Sequence, residues 1–389
     1  ENQNYWIEKT KLLEDKLSDR LHEELTKTFI DKRASVLARG LKQEMKFDTK
    51  ILENNEVMID DQFIGKINGL KLELDLKKGA LETDIKSLKK AARQTVGPEL
   101  EKRIQTIIDL EPISLNDDFR IYWNKFAIAK LSSGKDYLNP NFEVIVDDIL
   151  EQNQKQKLIN FIDKWLKNKI NNVLKSLVDL KDLKEKNSSI KALAYQLYEN
   201  NGVLKREQVS NYLKNLGQNE RKILRDLGVK FGRYHVFLFK LIKPEPVSLR
   251  TLLWKNYHQK FFNLYPPTFG LNFIDDKKYK NKNFMLLCGF EKFDNFFIRI
   301  DILERLFMKI INLSSEDKKE IKMTPEMLNL LGCSKDNFKK VLNDMGYKIR
   351  EENDEVFFKY FPQKNNKKIF LKKNNKENPF EILKNLNLG

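Results

Sequence analysis

One pattern of alternating apolar and polar residues occurs twice, 64 residues apart. It commits the first half of the chain to small β-units that each lean on a helix. The copies are Glu56–Asp75 (EVMIDDQFIGKINGLKLELD) and Arg120–Asp147 (RIYWNKFAIAKLSSGKDYLNPNFEVIVD). At that shift Val57, Ile59, Ile64, Lys66 and Ile67 align with Ile121, Trp123, Ile128, Lys130 and Leu131. Period-two alternation around a short polar turn is the mark of a hairpin with one buried face. The turns fall at Asp60-Asp61 and at Asn124-Lys125. A two-stranded hairpin is marginal alone, so a covering helix is expected for each. Leu100–Ile104 and Leu166–Ile170 supply matching helical stretches, and Gly97-Pro98 is expected to split the first helical region.

Upstream, Leu13, Leu17, Leu21, Leu25 and Phe29 recur at a step of four, predicting a long helix or two in series from Tyr5 to about Met45. Past the polar Lys181–Ser189 stretch, helices are expected over Ile190–Asn200, Lys205–Leu216, Glu220–Leu227 and Val247–Tyr257. Asn283–Arg305 reads as strand, turn and helix. Between Lys322 and Tyr360 the local signals are densest. Thr324 is a candidate N-cap before Pro325, Gly332 stops one helix, Ser334 caps the next, and Gly346 ends it. Tyr347–Arg350 and Val356–Phe361 then pair as a hairpin, which is the outline of half a winged-helix module.

The expected fold is α+β, multi-module and mostly helical, with two repeated β-hairpin-plus-helix units and a C-terminal winged-helix-like module. The expected boundaries are a linking helix over 1–46, repeats over 47–112 and 113–186, and a helical module over 187–265. A strand-turn-helix module over 266–320, the winged-like module over 321–361 and a basic tail over 362–389 complete the chain.

Chemistry is sparse. His22, His235 and His258 lie far apart without ligand-spaced neighbours, and His235 reads as a satisfied core histidine. Cys288 and Cys333 form no metal-ligand spacing and fit a reducing compartment, so a cytoplasmic location is expected. No apolar run approaches the roughly 18 residues of a membrane span, so no membrane partner is expected. The pairs Asp60-Asp61, Asp117-Asp118, Asp147-Asp148 and Asp275-Asp276 sit at turns or helix starts, where Asp caps. No Ser/His/Asp or Cys/His constellation can be assembled.

The net charge of +16 favours a polyanionic partner, although abundant Lys, Asn and Ile also follow from an AT-rich genome. Cations interleaved with aromatics mark Lys230 and Arg233, in KFGRY, and Lys277, Lys278 and Lys280, in KKYK. The alternative for the first is that Phe231 and Tyr234 belong to the core. On the second helix of the winged-like module, Ser334, Lys335, Asn337, Lys339 and Lys340 are placed to meet a phosphate backbone, or equally to dock a protein. Lys367, Lys368, Lys372 and Lys373 lie in a run without acidic residues.

Glu14–Arg39 (EDKLSDRLHEELTKTFIDKRASVLAR) resembles a stretch in bacterial helicase-related proteins similar to the mitochondrial degradosome RNA helicase, of the superfamily-two DExH family. Leu224–Trp254, Asn283–Arg305 and Thr324–Tyr347 (TPEMLNLLGCSKDNFKKVLNDMGY) carry the same resemblance, in the same order. In that family the first stretch follows the second RecA-like domain. Here it lies near residue 1, which is Glu, so the chain is expected to be a fragment or detached relative of the part after the motor. No G-x-x-x-x-G-K-[ST] loop occurs, the nearest being Gly65-Lys66-Ile67, and no DExH box or Q-x-x-G-R-x-G-R segment is found. The resemblance implies an accessory region of an ATP-dependent RNA or DNA helicase. It would hold nucleic acid, single-stranded RNA first, for RecA-like motor domains in cis, beside an RNA-processing nuclease. ATP and magnesium would belong to the motor, and no cofactor to these residues. The competing reading is a protein-docking scaffold of an RNA-processing complex.

Overall fold

A computed structural model describes residues 3–28, 49–59, 62–75, 82–110, 112–183, 188–275, 279, 281–316, 320–353 and 355–360. The chain is mixed α and β and divides into two compact units. The first holds the residues up to Phe231 together with Val236–Phe269. The second holds Gly232–His235 and the residues from Gly270 on.

The first unit opens with α1 (Gln3–Thr28). Its Leu13, Leu17 and Leu21 are exposed, and the rest of the expected linking helix lies outside the described residues. Two antiparallel sheets follow. Strands β1 (Thr49–Ile51), β2 (Glu56–Ile59), β3 (Gln62–Asn68) and β4 (Lys71–Leu74) pair in sequence order. So do β5 (Ile113–Leu115), β6 (Arg120–Trp123), β7 (Phe126–Asp136) and β8 (Asn139–Val144). The expectation of one hairpin per copy is thus enlarged to four strands each. The added outer strands include three-residue pieces too short to show alternation.

The pairings correspond residue by residue. Thr49 opposes Ile59 and Ile113 opposes Trp123. Glu56 opposes Lys66 and Arg120 opposes Lys130, each pair followed by a bulge, after Val57 in one sheet and after Ile121 in the other. Asn55 and Phe119, the residues before these strands, both adopt left-handed φ, at 64° and 65°. The last strands differ, because the β7–β8 hairpin is longer than the β3–β4 hairpin. The apolar face is buried in both sheets: Val57, Ile64 and Ile67 in the first, Ile121, Ile128 and Leu131 in the second. Each such side chain contributes about 1.5–3 kcal/mol on leaving water.

Helix α2 (Glu82–Leu110) runs unbroken through Gly97-Pro98, against the expected split. Proline vacates one helical bond and crowds its preceding residue, and Gly97 has no side chain to be crowded. Val96, Leu100, Ile104 and Ile107 form its buried stripe. Arg103 fastens this helix to the first sheet, donating to Gly69 O at 3.1 Å and Asn55 Oδ1 at 2.6 Å. Asp147 joins the sheets, its Oδ2 accepting Leu72 N–H at 3.0 Å and its backbone N–H donating to Leu70 O at 3.0 Å. Asp118 accepts Tyr122 Oη–H at 2.6 Å, so both acidic pairs within the described residues shape turns.

Helix α3 (Gln152–Val173) buries Leu158, Ile162, Leu166 and Ile170, one residue per turn. The core continues through α4 (Lys175–Lys181), α5 (Ser188–Glu199), α6 (Ser210–Lys214) and α7 (Gln218–Asp226). The strands β9 (Val203–Lys205), β10 (Val229–Phe231) and β11 (His235–Leu238) form a third sheet, and α8 (Pro244–His258) starts at Pro244. Only Ser210–Lys214 of the expected Lys205–Leu216 helix is α-helical; Val203–Lys205 joins the sheet instead.

In the second unit, β12 (Phe273–Asp275), β13 (Phe290–Phe293) and β14 (Phe296–Arg299) form one sheet. The expected strand at Asn283 is a helix, α9 (Lys282–Leu287), because Asn281 caps it by accepting Phe284 N–H at 3.0 Å. Helix α10 (Ile300–Glu316) carries the core residues Leu303, Leu306, Phe307 and Ile310. Strand β15 (Ile321–Lys322), α11 (Pro325–Leu331), α12 (Lys335–Asp344), β16 (Tyr347–Glu352) and β17 (Glu355–Tyr360) complete it, with strand order β15-β17-β16. Gly332 ends α11 at φ 70°, and Ser334 Oγ caps α12. Thr324 stands at the start of α11, but its hydroxyl makes no capping bond.

Candidate nucleic-acid interface

The expected contact residues divide by their surroundings. Lys230, on β10, lies with Nζ 4.1 Å from the centre of the Phe239 ring. Arg233 stands over the Tyr234 ring at 5.9 Å, and its backbone N–H donates to Glu304. Lys335, Asn337, Lys339 and Lys340 share α12, where the Ser334 hydroxyl is occupied by Asn337 N–H at 3.3 Å. Lys339 reaches Glu351 at 2.7 Å and Asp336 at 3.7 Å, and Lys340 reaches Asp294 at 3.1 Å. The bond to Glu351 holds Lys339 above its ordinary pKa. These two cations are therefore partly neutralised by their own fold. Lys277, Lys278, Lys280, Lys367, Lys368, Lys372 and Lys373 lie outside the described residues.

His235 sits within a buried ionic cluster that sequence reasoning did not foresee. Its Nδ1 is 3.0 Å from Glu304, on α10, and its Nε2 is 3.2 Å from Glu291, on β13. Burial works against the charged ring, but the bonds to both carboxylates outweigh it and hold the pKa above its ordinary value. With both ring nitrogens engaged and the side chain 2% exposed, the imidazole has no free site for proton transfer to a substrate. Cys333 is no better suited to chemistry, since burial pushes its thiol up to about 11. Among the described residues no group of three or more His, Cys, Asp or Glu is placed to hold a metal. None of the described helices is long and apolar enough to cross a membrane.

A surface of different character lies on the outer side of α3. The helix carries five lysines and one aspartate, because its buried stripe takes one residue in four and the remainder faces water. Phe161 and Trp165 stand one turn apart, half-buried. Lys169 Nζ lies 5.3 Å from the Trp165 ring centre. A cavity of about 280 Å³ opens here, lined by Phe161, Lys164, Trp165, Asn168, Lys169 and Asn172. The side chains of Lys164, Asn168 and Asn172 have no hydrogen-bond or ion-pair partner among the described residues. Partly exposed rings, ammonium groups without an ion pair among the described residues and amides of the same kind are the components of a single-strand platform. Cations at i+3 and i+4 beside the aromatic pair were the legible signal, on a helix whose apolar stripe is plain.

Comparison with known proteins finds no matching family model, no similar curated protein and no similar solved structure.

Proposed function

We propose that this chain is a non-catalytic nucleic-acid-binding region that holds a single strand, RNA in the first instance, on the outer face of α3. The observation that carries the reading is the Lys164–Trp165–Asn168–Lys169 surface, whose cations lack an ion-pair partner among the described residues and whose half-buried indole, with Lys169 over it, suits stacked bases beside phosphates. The net charge of +16 supplies a long-range attraction for the same partner. Without a phosphate-binding loop in the sequence, the chain works as the accessory region of an ATP-dependent helicase. RecA-like domains in cis would bring the ATP and magnesium, and an RNA-processing nuclease would take the strand onward.

Two finer readings accompany this. Common register, common bulge and common left-handed residue support descent of both four-stranded sheets from one duplicated module. Helix, turn, helix and wing in residues 321–360 support a winged-helix module. The ion pairs of Lys339 and Lys340 favour a second role for that module, as a protein-docking surface rather than a phosphate reader. Titration of a labelled oligonucleotide against wild type, Lys164→Gln/Lys169→Gln and Lys339→Gln/Lys340→Gln separates the two surfaces. Loss confined to the first variant supports the assignment; loss confined to the second moves the strand to α12.

A further inference from the structure

We propose that the cavity where α2 meets the β1–β2 and β6–β7 turns is a binding site for one nucleotide. Its base would lie against Trp123 and Phe126, and its phosphate would meet Lys102. The site is distinct in its residues from the α3 face and stands whether or not that face binds a strand.

The cavity measures about 340 Å³, within the range of small-ligand pockets. One wall is built and rigid. Arg103, its side chain 12% exposed, donates to Glu99 at 3.0 Å as well as to Asn55 and Gly69. All three branches of the guanidinium are thus engaged, which fixes Asn55 and Glu99 in place. The opposite wall is aromatic. Trp123 and Phe126 face each other across the β6–β7 hairpin and flank Asn124, which holds φ 53° at the turn. The Lys102 ammonium and the Asn124 amide line the cavity without a side-chain partner among the described residues. Lys102 and Arg103 against Glu99 leave one net positive charge, which suits a phosphate.

The sheets themselves argue that the aromatic pair does more than fold the chain, although Trp123 packs in part against the core and Phe126 lies beside Gly69. The residues of the first sheet in the same register positions are Ile59 and Gln62. A sheet of this topology therefore forms without aromatics there. The second sheet places two rings at the cavity, beside a cation and an amide that have no side-chain partner among the described residues.

The full chain is titrated calorimetrically with the 5′-monophosphates of adenosine, guanosine, cytidine and uridine, with the matching nucleosides, and with a five-residue oligoribonucleotide. At least one monophosphate is expected to bind at concentrations up to about 1 mM. Lys102→Gln is expected to weaken it about tenfold, the loss of a charge-assisted bond, and to leave the nucleoside unchanged. Trp123→Leu is expected to weaken both about fivefold or more through lost stacking. Lys164→Gln/Lys169→Gln leaves the monophosphate unaffected. Tighter binding of the oligonucleotide than of the monophosphate, with both weakened by Lys102→Gln, identifies the nucleotide as part of a strand; the reverse order identifies a free nucleotide. Should Trp123→Leu misfold, an 8-azidoadenosine monophosphate photolabel on wild type is expected in the peptide spanning 120–126. No binding by any monophosphate, equal affinity in Lys102→Gln, or a photolabel elsewhere overturns the proposal.

Discussion

One oxygen of Glu304 holds His235 twice, accepting its backbone N–H at 2.7 Å and lying 3.0 Å from its Nδ1. The same carboxylate accepts the backbone N–H groups of Arg233 and Tyr234. A single buried anion thus organises three consecutive residues, Arg233 to His235, within the second unit. Loss of it would leave three backbone N–H donors and His235 Nδ1 without this acceptor, with only Glu291 still meeting the ring.

Glu304→Ala is therefore expected to lower the stability of the second unit by about 3–5 kcal/mol, the usual result of removing one partner from a buried pair. Glu304→Gln, which keeps the shape and one acceptor, costs less. Chemical denaturation followed by a probe in the second unit checks both.

The cluster also predicts a pH dependence. A folded pKa raised above the unfolded value of about 6.5 gives a contribution that is complete below that pH. It is lost as pH rises through the folded value, since the direction is upward for His235. The melting transition of the second unit is expected to fall on the alkaline side, and His235→Gln to remove that slope. Calorimetry across the neutral to alkaline range measures it.

Gly69→Ala tests the junction of the two sheets. Gly69 has φ +64°, and a Cβ there would stand 2.6 Å from Phe126 Cβ. Strain and overlap together are expected to cost about 1–3 kcal/mol. Arg103→Lys is expected to be poorly tolerated for a related reason, because an ammonium cannot reproduce the fork onto Gly69, Asn55 and Glu99. Thermal denaturation of the first unit reports on both variants.

Purified alone, the chain is expected to show no nucleic-acid-stimulated ATP hydrolysis, since no phosphate-binding loop occurs in its sequence. A steady-state phosphate-release assay with and without single-stranded RNA checks this.

Much of the scaffold was legible because it rests on local periodicity. The central hairpins at Glu56 and Arg120 announce themselves by alternation. Thr49–Ile51 and Ile113–Leu115 do not, being three residues long. The α9 helix was misread as a strand because its run of apolar residues has no period; the capping Asn281 was the deciding group. The His235 cluster was illegible for another reason. Its carboxylates come from 56 and 69 residues away, so only the tertiary fold assembles them. The pairing of Lys339 with Glu351 and of Lys340 with Asp294 is long-range too. Counting cations along the α12 sequence overstates the charge that helix offers.

The most direct measurement is the salt dependence of binding to a labelled single-stranded RNA by wild type and by Lys164→Gln/Lys169→Gln. Wild-type affinity is expected to fall as salt rises, with a logarithmic slope of about −0.7 per phosphate neutralised. The double variant should bind more weakly and with a slope shallower by about 1.4, two phosphate contacts having gone. Absence of binding at low salt, or an affinity and slope unchanged in the variant, would contradict the assignment of α3 as the strand-binding face.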